Sequence, residues 1–138
     1  SWTGTDTIAG TTNPIVKAYA TTGTKTASVT VTSGSQTVGP VACSGSVSVN
    51  AQTVIASLSA SPSSGISPLT STLTATVTGG SASGNITYAF DCTNNTTYEN
   101  TQTIAGTTAS YICPAYTSDA TARVQVTRGT ATAQPTQT

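Results

Sequence analysis

Across residues 69–78, Leu69, Ser71, Leu73, Ala75 and Val77 alternate without a slip with Thr70, Thr72, Thr74, Thr76 and Thr78. A period of two places successive side chains on opposite faces of a strand, so this stretch requires a sheet with one buried face and one face of threonines. Val54, Ala56, Leu58 and Ala60 alternate in the same way upstream. The turn-forming Ser61-Pro62-Ser63-Ser64-Gly65 separates the two runs. Downstream, Gly79-Gly80-Ser81-Ala82-Ser83-Gly84 reads as a loop, and Tyr88 and Phe90 put two rings on one side of a third strand.

The surface of such a fold must be built from unusual material. Only 6% of the 138 residues are charged, where an ordinary domain has about a quarter. Threonine (33 residues) and serine (18) take over the polar role. Threonine is β-branched and suits a pleated sheet, so the bias favours strands over helices. Regular valine and leucine alternation argues against disorder except over residues 134–138. Four basic and four acidic side chains cancel. No basic patch is available to neutralise phosphates, which argues against nucleic-acid binding. Near-zero charge also permits close packing with neighbours. No apolar run approaches the roughly 20 residues that span a bilayer, so no membrane insertion is expected. Any secretory leader is expected to have been removed or to lie outside these residues.

The chain repeats itself. Thr7-Ile8-Ala9-Gly10-Thr11-Thr12 recurs as Thr103-Ile104-Ala105-Gly106-Thr107-Thr108, an offset of 96. Ala18-Tyr19 matches Ala115-Tyr116 at 97. Val29-Thr30-Val31-Thr32-Ser33-Gly34 matches Val124-Gln125-Val126-Thr127-Arg128-Gly129 at 95. Three matches in order at near-constant spacing indicate a tandem repeat whose period is that of an immunoglobulin-like sandwich. Residues 1–50 then read as the second half of one module and 53–138 as a second module, joined by a short linker over 50–53. The expected fold is all-β: tandem Ig-like antiparallel β-sandwiches, the first one incomplete. In the first part, strands are expected over 15–20, 25–32 and 36–49, with Ala27, Val29 and Val31 facing inward. In the second they are expected near 54–60, 69–78, 86–91, 109–116 and 121–128, with a last edge near 130–134. An incomplete sandwich exposes hydrophobic edges. It calls for an upstream continuation or for strands from another copy, by strand addition.

The run Ala60-Ser61-Pro62-Ser63-Ser64-Gly65-Ile66-Ser67-Pro68-Leu69-Thr70, followed by Tyr88-Ala89-Phe90-Asp91, resembles the opening of a polycystic-kidney-disease (PKD) type Ig-like domain. Residues 18–31, where Tyr19 and Gly23 precede alternating valines, are similar to the closing strands of that family. The usual Trp-Asp-Phe-Gly-Asp-Gly turn is replaced here by Phe90-Asp91-Cys92-Thr93-Asn94-Asn95. The resemblance implies a spacer or adhesive module of a cell-surface protein or secreted enzyme.

Cys92 and Cys113 lie in one module. A disulfide between them would close a loop of about twenty residues and add about 3 kcal/mol by restricting the unfolded chain. It is the expected state, with two buried free thiols as the alternative. Cys43 has no partner in its own half-module, and three states stay open: a free thiol, a bond to a segment outside this chain, or a bond to another chain. Asn85, Asn94 and Asn95 begin N-x-Ser/Thr patterns and are candidate glycosylation sites. Enzyme chemistry has little to build on. Asp6, Asp91, Glu99 and Asp119 are the only carboxylates, and no histidine is present to act as a base. Asp91 with Asn94 and Asn95 is weighed as a weak calcium site against a turn capping its own backbone, and the cap is favoured. Trp2 and the five tyrosines are weighed as a sugar-stacking platform, but Tyr88, Phe90 and Trp2 hold core-like positions. No cofactor is expected. The sequence therefore points to an extracellular structural protein, a module of a filament, fibre or surface layer that associates with identical subunits or neighbouring modules. An adhesive or carbohydrate-binding module is the alternative.

Overall fold

The computed structural model describes residues 16–138. The chain divides into two compact units, 1–51 and 52–138. Among the described residues every regular element is a strand, and every pairing between named strands is antiparallel.

The first unit holds a ribbon of β1 (Gly23–Ser33) and β2 (Gln36–Val49). Gly34, with φ of 60°, makes the left-handed step that a two-residue hairpin turn needs. Val31, Thr32 and Ser33 then pair with Val38, Thr37 and Gln36. The register shifts between Val29 and Val31, opposite Gly39-Pro40. Gly39 has φ of 122°, and a Cβ there would lie 2.6 Å from the Val29 carbonyl oxygen. Glycine, followed by a proline without an N–H, is what such a bulge accepts. Two expectations are corrected here. Residues 16–20 form no strand and Val16 is fully exposed, while Ile15 lies outside the described residues. Ala27, Val29 and Val31 do not face a core: all three are exposed, Val29 at 51% and Val31 at 59%. Among the described residues of this unit the two-stranded ribbon is the one sheet, and no second layer covers either face.

The second unit contains β3 (Ile55–Ser61), β4 (Thr72–Gly79), β5 (Ile86–Asp91), β6 (Asn100–Ile104), β7 (Thr108–Ile112), β8 (Ala122–Arg128), β9 (Ala131–Ala133) and β10 (Thr136–Gln137). One sheet has the order β3-β4-β7. The other runs β10-β8-β5-β6, with β9 also on β8. The two sheets share one core in the manner of a β-sandwich. Leu58, Leu73, Ala75, Val77 and Ala109 come from the first sheet, and Ile86, Tyr88, Phe90, Val124 and Val126 from the second. On β4 the alternation works as the sequence requires: Leu73, Ala75 and Val77 are buried, while Thr72, Thr74 and Thr76 are half-buried. Hydroxyls on the outward faces pair across strands, Thr74 with Ser110 at 3.1 Å and Thr87 with Thr103 at 2.9 Å.

Four points differ from expectation, and the first is β10, which pairs with β8 inside residues 134–138, where the sequence shows no ordered pattern. Residues 69–71 precede β4, and Leu69 forms an isolated bridge to Tyr116. Ser71 is buried there, its hydroxyl donating to the Pro62 carbonyl at 2.8 Å. β7 stops at Ile112, two residues before Pro114. β6 falls where the sequence suggests only a loop, because Asn100-Thr101-Gln102-Thr103 offers no apolar alternation. It forms by pairing with β5, Tyr88 opposite Gln102 and Ala89 opposite Thr101. Gln52 and Thr53 are tied into the second unit. The Gln52 Oε1 accepts from the Thr130 N–H at 3.2 Å, and the Thr53 N–H donates to Ser81 Oγ at 3.0 Å.

The hairpin of the first unit has a counterpart in the second. Shifted by 95 residues, the pairs Val31–Val38, Thr32–Thr37 and Ser33–Gln36 become Val126–Ala133, Thr127–Thr132 and Arg128–Ala131, all of which are paired. Gly34 and Gly129 share the same left-handed φ, 60° and 59°. The Thr32–Thr37 hydroxyls meet at 3.2 Å and the Thr127–Thr132 hydroxyls at 3.5 Å.

Candidate functional site

The densest polar chemistry of the second unit sits where β5 ends. Apolar alternation carries β5 into the core, and its last residue, Asp91, is fully buried. Register places Arg123 of β8 directly opposite, and the Arg123 Nη2 donates to Asp91 Oδ2 at 2.9 Å. The chain then turns back over the same carboxylate. The N–H groups of Thr93 (3.3 Å) and Asn95 (3.0 Å) donate to Oδ1, and that of Thr96 donates to Oδ2 at 2.8 Å. Asn94 and Thr96 adopt left-handed φ of 53° and 73°, which folds the loop tightly enough to aim these amides inward. Asp91 is thus the anchor of its own turn, with a guanidinium as the fourth donor. This is the capping arrangement and not the open carboxylate that a cation needs. Among the described residues no three His, Cys, Asp or Glu side chains gather as a metal would require.

A second layer of contacts locks the same end. Cys92 and Cys113 form a disulfide, their Cα atoms 5.9 Å apart and both side chains buried. Glu99 Oε2 accepts from the Cys92 N–H at 2.8 Å, and the Tyr116 hydroxyl donates to the Cys92 carbonyl at 3.0 Å. Burial, with Glu99 and Asp91 adding negative charge nearby, raises the Tyr116 pKa above its ordinary value of 10.0. Burial also raises that of Tyr88, and Arg128 opposes the shift. A phenol whose anion is disfavoured keeps its proton and stays a hydrogen-bond donor. The Tyr98 ring lies over Arg123, 5.7 Å from the guanidinium carbon, and its hydroxyl donates to Gln125 Oε1 at 2.8 Å.

The candidate residues of the sequence separate into distinct environments. Tyr88 and Phe90 are core, and Phe90 packs against Tyr111 with ring centroids 6.0 Å apart. They form no sugar platform, and Trp2 and Asp6 lie outside the described residues. Asn85, Asn94 and Asn95 are all exposed. The Asn95 Oδ1 is engaged by the Thr97 N–H at 2.8 Å. Cys43 is a free, exposed thiol on β2. Asp119 stands on the rim of a cleft of about 410 Å³ bordered by Pro62, Leu69, Ser71, Tyr116 and Ala122. The Asp91–Arg123 pair and the contacts of Glu99 and Tyr116 to Cys92 are not readable from spacing. They depend on strand register, and β8 carries two arginines, Arg123 and Arg128, with nothing in the local sequence to say which of them meets a carboxylate.

Fold and site together define an all-β protein with a disulfide-locked, sandwich-like unit. No helix among the described residues is long and apolar enough to cross a membrane. No family model, curated protein or solved structure shows significant similarity to the chain.

Proposed function

We propose that this chain is a stretch of tandem Ig-like modules, of the PKD type, from an extracellular structural protein: a rod, fibre or surface-layer element that carries no catalytic site. The observation that carries this reading is the hairpin that recurs at an offset of 95 with the same pairings, the same left-handed glycine and the same threonine pair. Repetition of a sheet-pair unit is how extended surface proteins gain length without new folds. The polar cluster at the end of β5 supports a mechanical role, since its disulfide, salt bridge and buried carboxylate all tie one end of the sandwich together. A disulfide and a hydroxyl-rich, nearly uncharged surface fit an oxidising extracellular setting. The same low charge permits the self-association with identical subunits or neighbouring modules that this reading entails. Exposed Asn85 and Asn94 are the asparagines best placed to carry glycans.

Electron microscopy of native material tests the reading: regular rods or filaments are expected, and dispersed globular particles would contradict it. A second reading rests on Tyr98. The residue is 36% exposed, and Arg123 and Gln125 beside it could add polar contacts to a sugar. Glycan binding that disappears in Tyr98→Ala would favour an adhesive or carbohydrate-binding module instead.

A further inference from the structure

The β1–β2 ribbon has two chemically opposite faces. Ala27, Val29 and Val31 alternate along β1 with Thr26, Ser28, Thr30 and Thr32. Val38, Val41 and Val47 of β2 are paired with Val31, Val29 and Lys25, so they join the valine face. These valines are between 51% and 66% exposed. An apolar face on an otherwise hydroxyl-coated protein calls for a partner.

The second unit shows which partner covers a face of this kind. At the offset of 95, Ala27, Val29 and Val31 correspond to Ala122, Val124 and Val126, which are 4%, 0% and 0% exposed. Those three are buried with Leu58, Leu73, Ala75 and Val77 of the facing sheet and with Ile86, Tyr88 and Phe90 of β5. We propose that the valine face of the β1–β2 ribbon is a docking surface for a separate polypeptide carrying the strand pattern of residues 53–116. That pattern is Leu/Ala/Val alternating with Ser/Thr, then a Tyr-x-Phe strand, almost without charge. Docking would complete a second sandwich. A second copy of the whole chain fits poorly, because its own β3-β4-β7 sheet already packs over its own β8. A handful of valines meeting valines also falls well short of the roughly 800 Å² per partner of a stable interface. The inference stands on the repeated hairpin and would hold for a chain that never polymerised.

The test uses the full chain and, as probe, a polypeptide of residues 53–116 with its disulfide formed. On addition of the probe, the amides of Val29 and Val31 are expected to gain hydrogen-exchange protection by at least about 100-fold, toward that of Val124 and Val126. The double variant Val29→Thr, Val31→Thr keeps strand-forming residues in the ribbon and is expected to lose the effect, with the second unit unchanged. Unchanged exchange on addition of the probe, equal protection in the double variant, or a chain that dimerises alone with Val29 and Val31 already protected would each overturn the proposal.

Discussion

Removing the disulfide is the perturbation whose size can be worked most directly. Cys92 and Cys113 are 21 residues apart and both are buried. The double variant Cys92→Ala, Cys113→Ala opens that loop in the unfolded chain. For a closed loop of this length the chain-entropy relation gives about 3 kcal/mol at 25 °C. The loss of two buried sulfur atoms adds to it in the same direction. For a domain of 60–100 residues, 3 kcal/mol corresponds to a fall in Tm of about 12–24 °C. Guanidinium unfolding followed through the NMR signals of Tyr88 and Phe90 reports on this core and excludes the first unit. The folded state is expected to survive, because the Asp91 turn and the Tyr116–Cys92 bond do not depend on the sulfur atoms. A loss below about 1 kcal/mol would refute the loop-closure reasoning. It would mean that residues 93–112 are already restrained in the unfolded chain.

Asp91→Ala leaves the largely buried Arg123 (14% exposed) and three turn amides without an acceptor. It is expected to cost about 3 kcal/mol or more, measured by urea unfolding, and a loss under 1 kcal/mol would count against the anchor role. Both raised phenols make the second unit sensitive to alkali. Below pH 10 folded and unfolded chains hold the same tyrosine protons. Above it the unfolded chain releases them first, so stability falls as pH rises through 10 toward the folded pKa values. Tm followed from pH 8 upward in a Cys43→Ser background, which removes the free thiol, should show the fall, and Tyr116→Phe should make it shallower. Gly39→Ala forces a Cβ against the Val29 carbonyl in a left-handed conformation. It is expected to destabilise the ribbon by about 1–3 kcal/mol and to abolish the Val29–Val41 pairing, read from cross-strand NOEs.

What could be read from the sequence, and what could not, follows from how each element is stabilised. β3, β4, β5 and β8 announce themselves because a buried face imposes period two on their residues. The Cys92–Cys113 bond was readable because two cysteines of one module had no rival within it. β6 was hidden because an edge strand of Asn, Gln and Thr is held by pairing with β5, which leaves no periodic trace. The valines of β1 were misassigned as inward-facing for an instructive reason. Their alternation records the surface a strand is built to bury, and it says nothing of whether the covering layer is at hand. The Asp91–Arg123 pair joins residues 32 positions apart, and only strand register could bring them together.

The most direct measurement is native-state hydrogen exchange on the monomeric full chain, comparing Val124 and Val126 with Val29 and Val31. If 52–138 is a self-contained sandwich and the β1–β2 ribbon an uncovered closing hairpin of the same kind, the first pair exchanges only through global opening of its unit. The second pair exchanges orders of magnitude faster. Equal protection of the two pairs in a monomer would show that the ribbon already has its covering layer, and would contradict the account.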